Sequence, residues 1–226
     1  MTVRGRAAKG GLTTLLGVVL FVVGAAAASA APTGGASALA ASEQARNPTV
    51  SMTPSPAFEQ YCFETAMESQ CNAAALADID RGRRADHLPP LRLPRGFATR
   101  SAPAQLRALA NLERTVRHLP SMPRSPALDA RAMAAAAQGV DPSGPGAYYW
   151  GANLATGYVT ALAADFAWMY DDGPGSPNTA CPPAGGAGCW GHRMNILAAW
   201  GGSQGNGDYV SAQGRVQLTE LFVENY

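Results

Sequence analysis

The sequence predicts an α+β domain, helical for most of its length and closing on strands. Two patterns carry that expectation. Apolar residues return at three- and four-residue spacing in several stretches between Phe58 and Tyr170, the period of an amphipathic helix. The last 19 residues, 208–226, look like two strands broken near Gly214. The length of 226 residues suits one domain of ordinary size with appendages.

The elements follow in order. Arg4, Arg6 and Lys9 precede an apolar run over 12–28, and Ala28-Ser29-Ala30 supplies a small-x-small cleavage pattern. This reads as a secretory signal peptide over 1–30. The run of 17 residues is at the short limit of a membrane span, and no later segment could cross a bilayer, so no membrane anchor is expected after cleavage. Residues 31–57 are rich in Ala, Ser, Thr, Gly and Pro and read as a disordered linker. Phe58, Tyr61, Phe63, Met67, Leu76 and Ile79 then read as helical, with Arg81 to Arg84 around Gly82 as the stop. Three prolines within 88–94 forbid a helix and leave an extended connector. Residues 58–100 thus form an N-terminal helical extension and connector, ahead of a main domain over 101–226.

Within 101–226, Ser101 as N-cap, Pro103 in the first turn and the stripe Leu106, Leu109, Leu112, Val116 predict a helix over about 103–118. Ser125-Pro126 with Asp129 in the first turn opens another, stopping near Gly139. Residues 141–151 read as loop, leaving through Tyr148-Tyr149-Trp150. Leu162, Phe166 and Met169 predict a helix over about 160–170, followed by a long Gly/Pro loop to Gly188 and a short helix over 192–200.

Charged residues are only 15% of the chain, against roughly 25% in ordinary globular proteins. The net charge is +1, and loss of Arg4, Arg6 and Lys9 with the leader makes it −2. That excludes a protein built around nucleic-acid binding, which needs a clustered basic surface. Lys9 is the only lysine, and together with the abundant Ala and Gly this reads as the mark of GC-rich coding.

Secretion makes the four cysteines candidates for disulfides. Cys181 and Cys189 flank a Pro/Gly loop, where a bridge would restrict the unfolded chain by roughly 2–3 kcal/mol. Cys62 and Cys71 would lie on opposite faces of a continuous helix, so pairing them requires the helix to break. Cys62–Cys71 and Cys181–Cys189 are the first choice among three connectivities.

Several motifs fail their context tests. Gly201-Gly202-Ser203-Gln204-Gly205 matches G-x-S-x-G, but that elbow needs a strand before the Ser and an acid then a His after it. His87, His118 and His192 all precede Ser203. Cys189 beside Trp190 and His192 hints at a thiol nucleophile, but it lacks a downstream His and has a partner cysteine eight residues back. There is no H-E-x-x-H pattern for a zinc protease, and His87 and His118 read as solvated helix-end residues. The segment from Cys189 to Leu197 stands apart because it gathers Trp190, His192, Arg193 and Asn195. It either presents one imidazole at a cleft wall, or it is structural, with His192 bonded to backbone and Arg193 paired with an acid such as Asp171.

Gly191-His192-Arg193-Met194-Asn195-Ile196-Leu197 resembles the G-H-R-x-N-I-L signature of bacterial domains of the cysteine-rich secretory protein, antigen 5 and pathogenesis-related 1 (CAP) superfamily. Asn111-Leu112-Glu113-Arg114 resembles that family's N-x-x-R helix, residues 128–138 its second helix, and Gly151-Ala152-Asn153 its G-E-N turn. Residues 164–173, with Trp168, resemble the helix before the signature, and Arg215 to Leu218 the final strand. The likeness covers roughly 101–226 and is nearest to an actinobacterial subgroup with an extra N-terminal helical segment.

The resemblance implies a three-layer α-β-α sandwich with a cleft. In the family that cleft often holds two His and two acids able to bind a divalent metal. Here His192 fits the signature His, and Asp171, with Asp172 beside it, stands where a Glu is usual. Ala152 replaces the Glu of G-E-N, and Gln138 is the nearest polar residue to the second-helix His. One imidazole and one carboxylate, His192 and Asp171, fall short of the three or four protein ligands zinc takes, so no metal cofactor is expected. The expectation is a secreted, non-catalytic binding protein whose cleft holds His192, Arg193, Asn195, Asn153 and Trp190, with Tyr148, Tyr149 and Trp150 adding aromatic surface and Trp168 in the core. A lipid, a cell-wall glycan or a peptide is the expected ligand. The alternative is a hydrolase with His192 as general base and Asp171 as its orienting acid. A third class is a structural surface protein whose 171–188 loop contacts a partner.

Overall fold

A computed structural model describes residues 47–63, 67–176, 181–182, 184–186 and 188–226. The expected leader 1–30 and residues 31–46 of the expected linker lie outside the described residues. The linker ends earlier than composition predicts. Ser51 N–H donates to Pro174 O at 3.0 Å and Met52 N–H to Tyr170 O at 2.8 Å, and Met52 packs against the core. These ties run through backbone, which residue type does not report.

Helix α1 (Pro56–Tyr61) starts where the Ser55 hydroxyl accepts from Phe58 N–H. Helix α2 (Glu68–Ala85) follows. Cys62 and Cys71 are bonded, with Cα atoms 4.8 Å apart, and the helical run breaks between them as that pairing demands. Gly82 does not stop α2. The Tyr170 ring lies where a Cβ at Gly82 would be, so this glycine is a groove for a ring.

Residues 88–94 are non-helical. Helix α3 (Ala102–Thr115) has Ser101 at its N-cap position, without a capping hydrogen bond from the side chain, and ends in a turn, with His118 at φ 61° and exposed. Helix α4 (Pro126–Gln138) has the predicted signals: the Ser125 hydroxyl accepts from Leu128 N–H, and Gly139 closes it at φ 67°. Strand β1 (Trp150–Thr156) replaces the expected loop and turn around Gly151. Helix α5 (Ala161–Met169) is capped by the Thr160 hydroxyl, and helix α6 (Gly191–Ile196) is shorter than predicted. Strand β2 (Gly202–Val210) starts six residues before the expected 208, and β3 (Val216–Glu224) follows the turn at Gly214.

The three strands form an antiparallel sheet in the order β1-β3-β2. One face meets α4. There the Thr219 hydroxyl donates to Ala132 O at 2.9 Å, and a Cβ at Gly205 or Gly207 would run into the backbone of Leu128 or Ala132. Glycines on β2 let α4 approach to backbone contact, so part of the Gly/Ala richness is packing and not coding bias. On the other face Ala155, Leu218 and Phe222 join one core with Ile79, Leu106, Leu109, Phe166 and Trp168. Helix α5 is buried along all nine residues, more than its predicted single apolar face. Each large apolar side chain buried here contributes about 1.5–3 kcal/mol. Phe58 and Phe97 belong to this same core, so 58–100 is part of the domain and not an appendage to it.

Candidate functional site

The site is held by buried charge. Glu113 on α3 is fully buried. It accepts from Arg83 on α2 at 2.8 Å, from Arg117, and from the Tyr170 hydroxyl at 3.0 Å. Asp86, just after α2, accepts from Arg117 at 2.7 Å and from Arg193 on α6 at 2.8 Å. Arg193 also donates to Met169 O at 2.6 Å and lies between the Tyr170 and Trp190 rings, 5.7 and 5.6 Å from their centroids. Burial makes each pairing obligatory, because an isolated buried charge is far too costly.

This corrects two expectations. Arg193 is 1% exposed, so it braces α6 against α2 and does not line a cleft. Its acid is Asp86, not Asp171. Arg114 of the N-x-x-R helix acts similarly, donating to Ile196 O, Ala198 O and Trp200 O at 2.8, 2.9 and 3.2 Å. It thereby satisfies the last carbonyl of α6 and two carbonyls of the segment that follows it.

His192 sits in the first turn of α6. Its Nδ1 is 2.6 Å from Asp172 Oδ1. Asp172 Oδ2 accepts from the backbone N–H of His192 at 2.8 Å and of Arg193 at 3.3 Å. Burial raises the Asp172 pKa, and the hydrogen bonds from His192 and the backbone oppose that rise. An ionised Asp172 places the ring hydrogen on Nδ1 and leaves Nε2 as the group open to other partners. The His192 side chain keeps 27% exposure while Asp172 keeps none. The orienting acid is therefore Asp172, and the assignment to Asp171 is corrected. The two neighbours point apart because α5 ends at Met169 and the chain beyond it is not helical.

Asp171 instead lines a separate cavity of about 720 Å³ with Phe63, Tyr158, Glu59, Thr53 and Pro174. Burial pushes its carboxyl up to about 6, with Asp172 adding to the rise and Ser176 opposing it. Among the described residues no group of three or more His, Cys, Asp or Glu could hold an ion.

The other expected site residues are mostly internal. Asn153 is fully buried and donates to His192 O at 3.3 Å. Asn195 donates to Ala152 O at 2.8 Å and to Asn153 Oδ1 at 3.0 Å, and its side chain fills the space over Gly151. Trp190 is 5% exposed, packed on Gly173, with a backbone φ of 61°. A non-glycine residue held there costs about 1–3 kcal/mol. Trp168 is in the core as expected, whereas Tyr148, Tyr149, Trp150 and Tyr226 are exposed. The Tyr148 and Tyr226 rings meet edge to face at 5.6 Å. Ser203 lies within β2 and donates to Tyr226 O at 2.8 Å, which removes the strand–Ser–helix context an elbow needs. Gln138 is exposed, and its amide donates to Ala134 O.

Sequence reading missed two buried acids. Glu220 on β3 is 1% exposed and accepts from Asn153 at 3.2 Å. Burial pushes it up to about 8. Asp165 on α5 is 2% exposed. Burial, then Glu113 and Glu220, hold its pKa well above the ordinary range. A signal for Glu220 existed: it alternates with Leu218 and Phe222, so period two puts it on the core face.

No protein-family model matches this chain, and a comparison with curated proteins likewise found no match.

Proposed function

We propose that the chain is a secreted CAP-like binding protein whose ligand meets His192 and the exposed rings of Tyr148, Tyr149 and Trp150. One observation carries this reading. Asp172, Asn153, Asn195 and Arg193 commit their polar groups to holding α6 in place, while the His192 ring alone of this group combines an oriented nitrogen with solvent access. The helix-over-sheet-over-helix arrangement and the strained backbone at Trp190 support the family reading and a functional site respectively. The two disulfides, Cys62–Cys71 and Cys181–Cys189, fit an extracellular setting. Among the described residues no helix is long and apolar enough to cross a membrane.

Exposed flat rings and an oriented polar nitrogen suit the apolar faces and hydroxyls of a sugar, so a cell-wall glycan is the ligand favoured over lipid or peptide. The test is pull-down on cell-wall glycan, with lipid vesicles and a peptide library as comparisons. His192→Ala and Trp150→Ala should each weaken glycan retention about tenfold or more, the usual loss when a contact of this size is removed. Glycan retention unchanged in both variants would refute the site.

A hydrolase remains the second reading, favoured by one feature: a His held by a buried acid is the base half of a catalytic dyad. It predicts turnover of a glycan or peptide substrate that Asp172→Asn abolishes and Asp171→Asn spares. Absence of turnover in the wild type retires it.

A further inference from the structure

A second feature lies on α3, apart from the residues around His192. Ala104, Arg107, Ala108 and Asn111 form one stripe of that helix and floor a groove of about 610 Å³. Arg100 stands at one wall, and Ser121 to Arg124 at another. The second wall is fixed: the Asn111 side chain accepts from Met122 N–H at 2.8 Å and donates to Met122 O at 3.1 Å. Pro123 and Ser125 are tied to Gln204 on β2 at 2.9 Å each. The groove is therefore preformed.

Its lining includes three arginines, Arg100, Arg107 and Arg124, and no acid. Asp129 pairs with Arg124 from outside the lining. Among the described residues neither Arg100 nor Arg107 forms an ion pair. Arg107 is half-buried, and its pKa is lowered by burial and further by Arg124 and Arg100, against the pull of Asp129. Like charges gathered in a chain that is −2 without its leader raise their own energy unless an anion joins them. Guanidinium groups grip oxyanions through paired N–H donors. The volume is that of a ligand of several groups, not of one small ion.

We propose that this groove binds a linear polyanion, with successive oxyanion groups seated on Arg100, Arg107 and Arg124. That chemistry is shared by phosphate chains and acidic glycans. Small alanines at 104 and 108 leave the floor low, so the chain of the ligand lies along α3 while the guanidiniums reach its charged groups.

The test is calorimetry on the full oxidised chain with two probes, tripolyphosphate and tri-galacturonate. One or both should bind one to one, more weakly as salt rises, and the stronger probe identifies the source. The Arg100→Ala/Arg107→Ala variant should lose about tenfold or more in affinity. Arg107→Lys should lose part of that, because a point charge replaces a fork. Exposed Arg84→Ala, outside the groove, should bind as the wild type does, and thermal melting should show every variant folded. Failure of both probes, full affinity in the double arginine variant, or an equal loss in Arg84→Ala would overturn the proposal.

Discussion

Glu220→Gln should make the protein more stable near pH 8 and leave it almost unchanged near pH 4. Glu220 lies on β3 with apolar neighbours at Leu218 and Phe222. Its carboxyl rises from 4.5 to about 8 because burial penalises the charge, and the Asn153 hydrogen bond offsets only part of that. Buried Asp165 on α5 is in turn raised by burial and by the charges of Glu113 and Glu220. A group whose pKa is raised by folding gives its full stabilisation below its unfolded value, and loses it as pH rises through the folded one. The window here runs from about 4.5 to about 8. At 1.36 kcal/mol per unit, the loss across that window is on the order of 5 kcal/mol. Gln keeps the shape and the neutral form while removing the titration.

The assay is urea unfolding of wild type and variant at intervals between pH 4 and pH 8.5. Wild-type stability should fall steadily, and the gap between the two proteins should widen toward pH 8. A gap of that size raises the melting temperature by roughly 10 °C or more in a domain of this length. The Asp165 titration remains in both proteins and moves down in the variant, since the neighbouring charge is gone. Parallel pH profiles, or a variant less stable at pH 8, would refute the claim that burial dominates at Glu220.

Arg193→Ala should lose about 3–5 kcal/mol in urea unfolding, because it removes a buried partner of Asp86 and the donor to Met169 O. Arg193→Lys should recover less than half, lacking the planar fork that serves both acceptors between two rings. Gly205→Ala should lose about 1–3 kcal/mol or more through collision with the α4 backbone, while Gly201→Ala, where an added methyl meets nothing, should lose little. Replacing Cys181 and Cys189 together by Ser should lower stability by about 2–3 kcal/mol and make residues 173–188 faster to cleave by protease.

Much of the architecture was legible because its signals are local. Ser125, Pro126 and Gly139 mark α4 at both ends, and the cysteine spacing announced a break in the first helical run. Strand β1 was not legible. Trp150 to Thr156 lacks the usual apolar-in alternation, since its buried members are Gly151, Asn153 and Ala155 while Trp150 is exposed and Leu154 only half-buried. No propensity marks such a strand; its place is set by pairing with β3. Gly205 and Gly207 hid the strand β2 for a related reason, because a helix packed on bare backbone leaves glycine where a strand normally shows Val or Ile. At the site, sequence found His192 but chose the wrong neighbouring acid. Asp171 and Asp172 differ by one residue in irregular chain, and only the three-dimensional course of that chain decides which carboxylate reaches α6.

Placing Arg193 and Asn153 inside the fold changes what the segment 191–197 can be asked to do. Arg193 reaches α2, Asn195 reaches β1, Ile196 enters the core, and Arg114 closes the far end from α3. A six-residue helix has no stability of its own, so these ties create α6 as much as they orient it. His192 inherits its position from all of them. Any substitution in this set therefore moves the imidazole as well as the melting temperature, and loss of binding in Arg193→Ala or Asn195→Ala says nothing about contact with a ligand. His192→Ala and Trp150→Ala are the more informative changes, because the first removes a partly exposed ring and the second an exposed one; His192→Ala gives up only the ring's bond to Asp172, whose two backbone donors at the start of α6 remain.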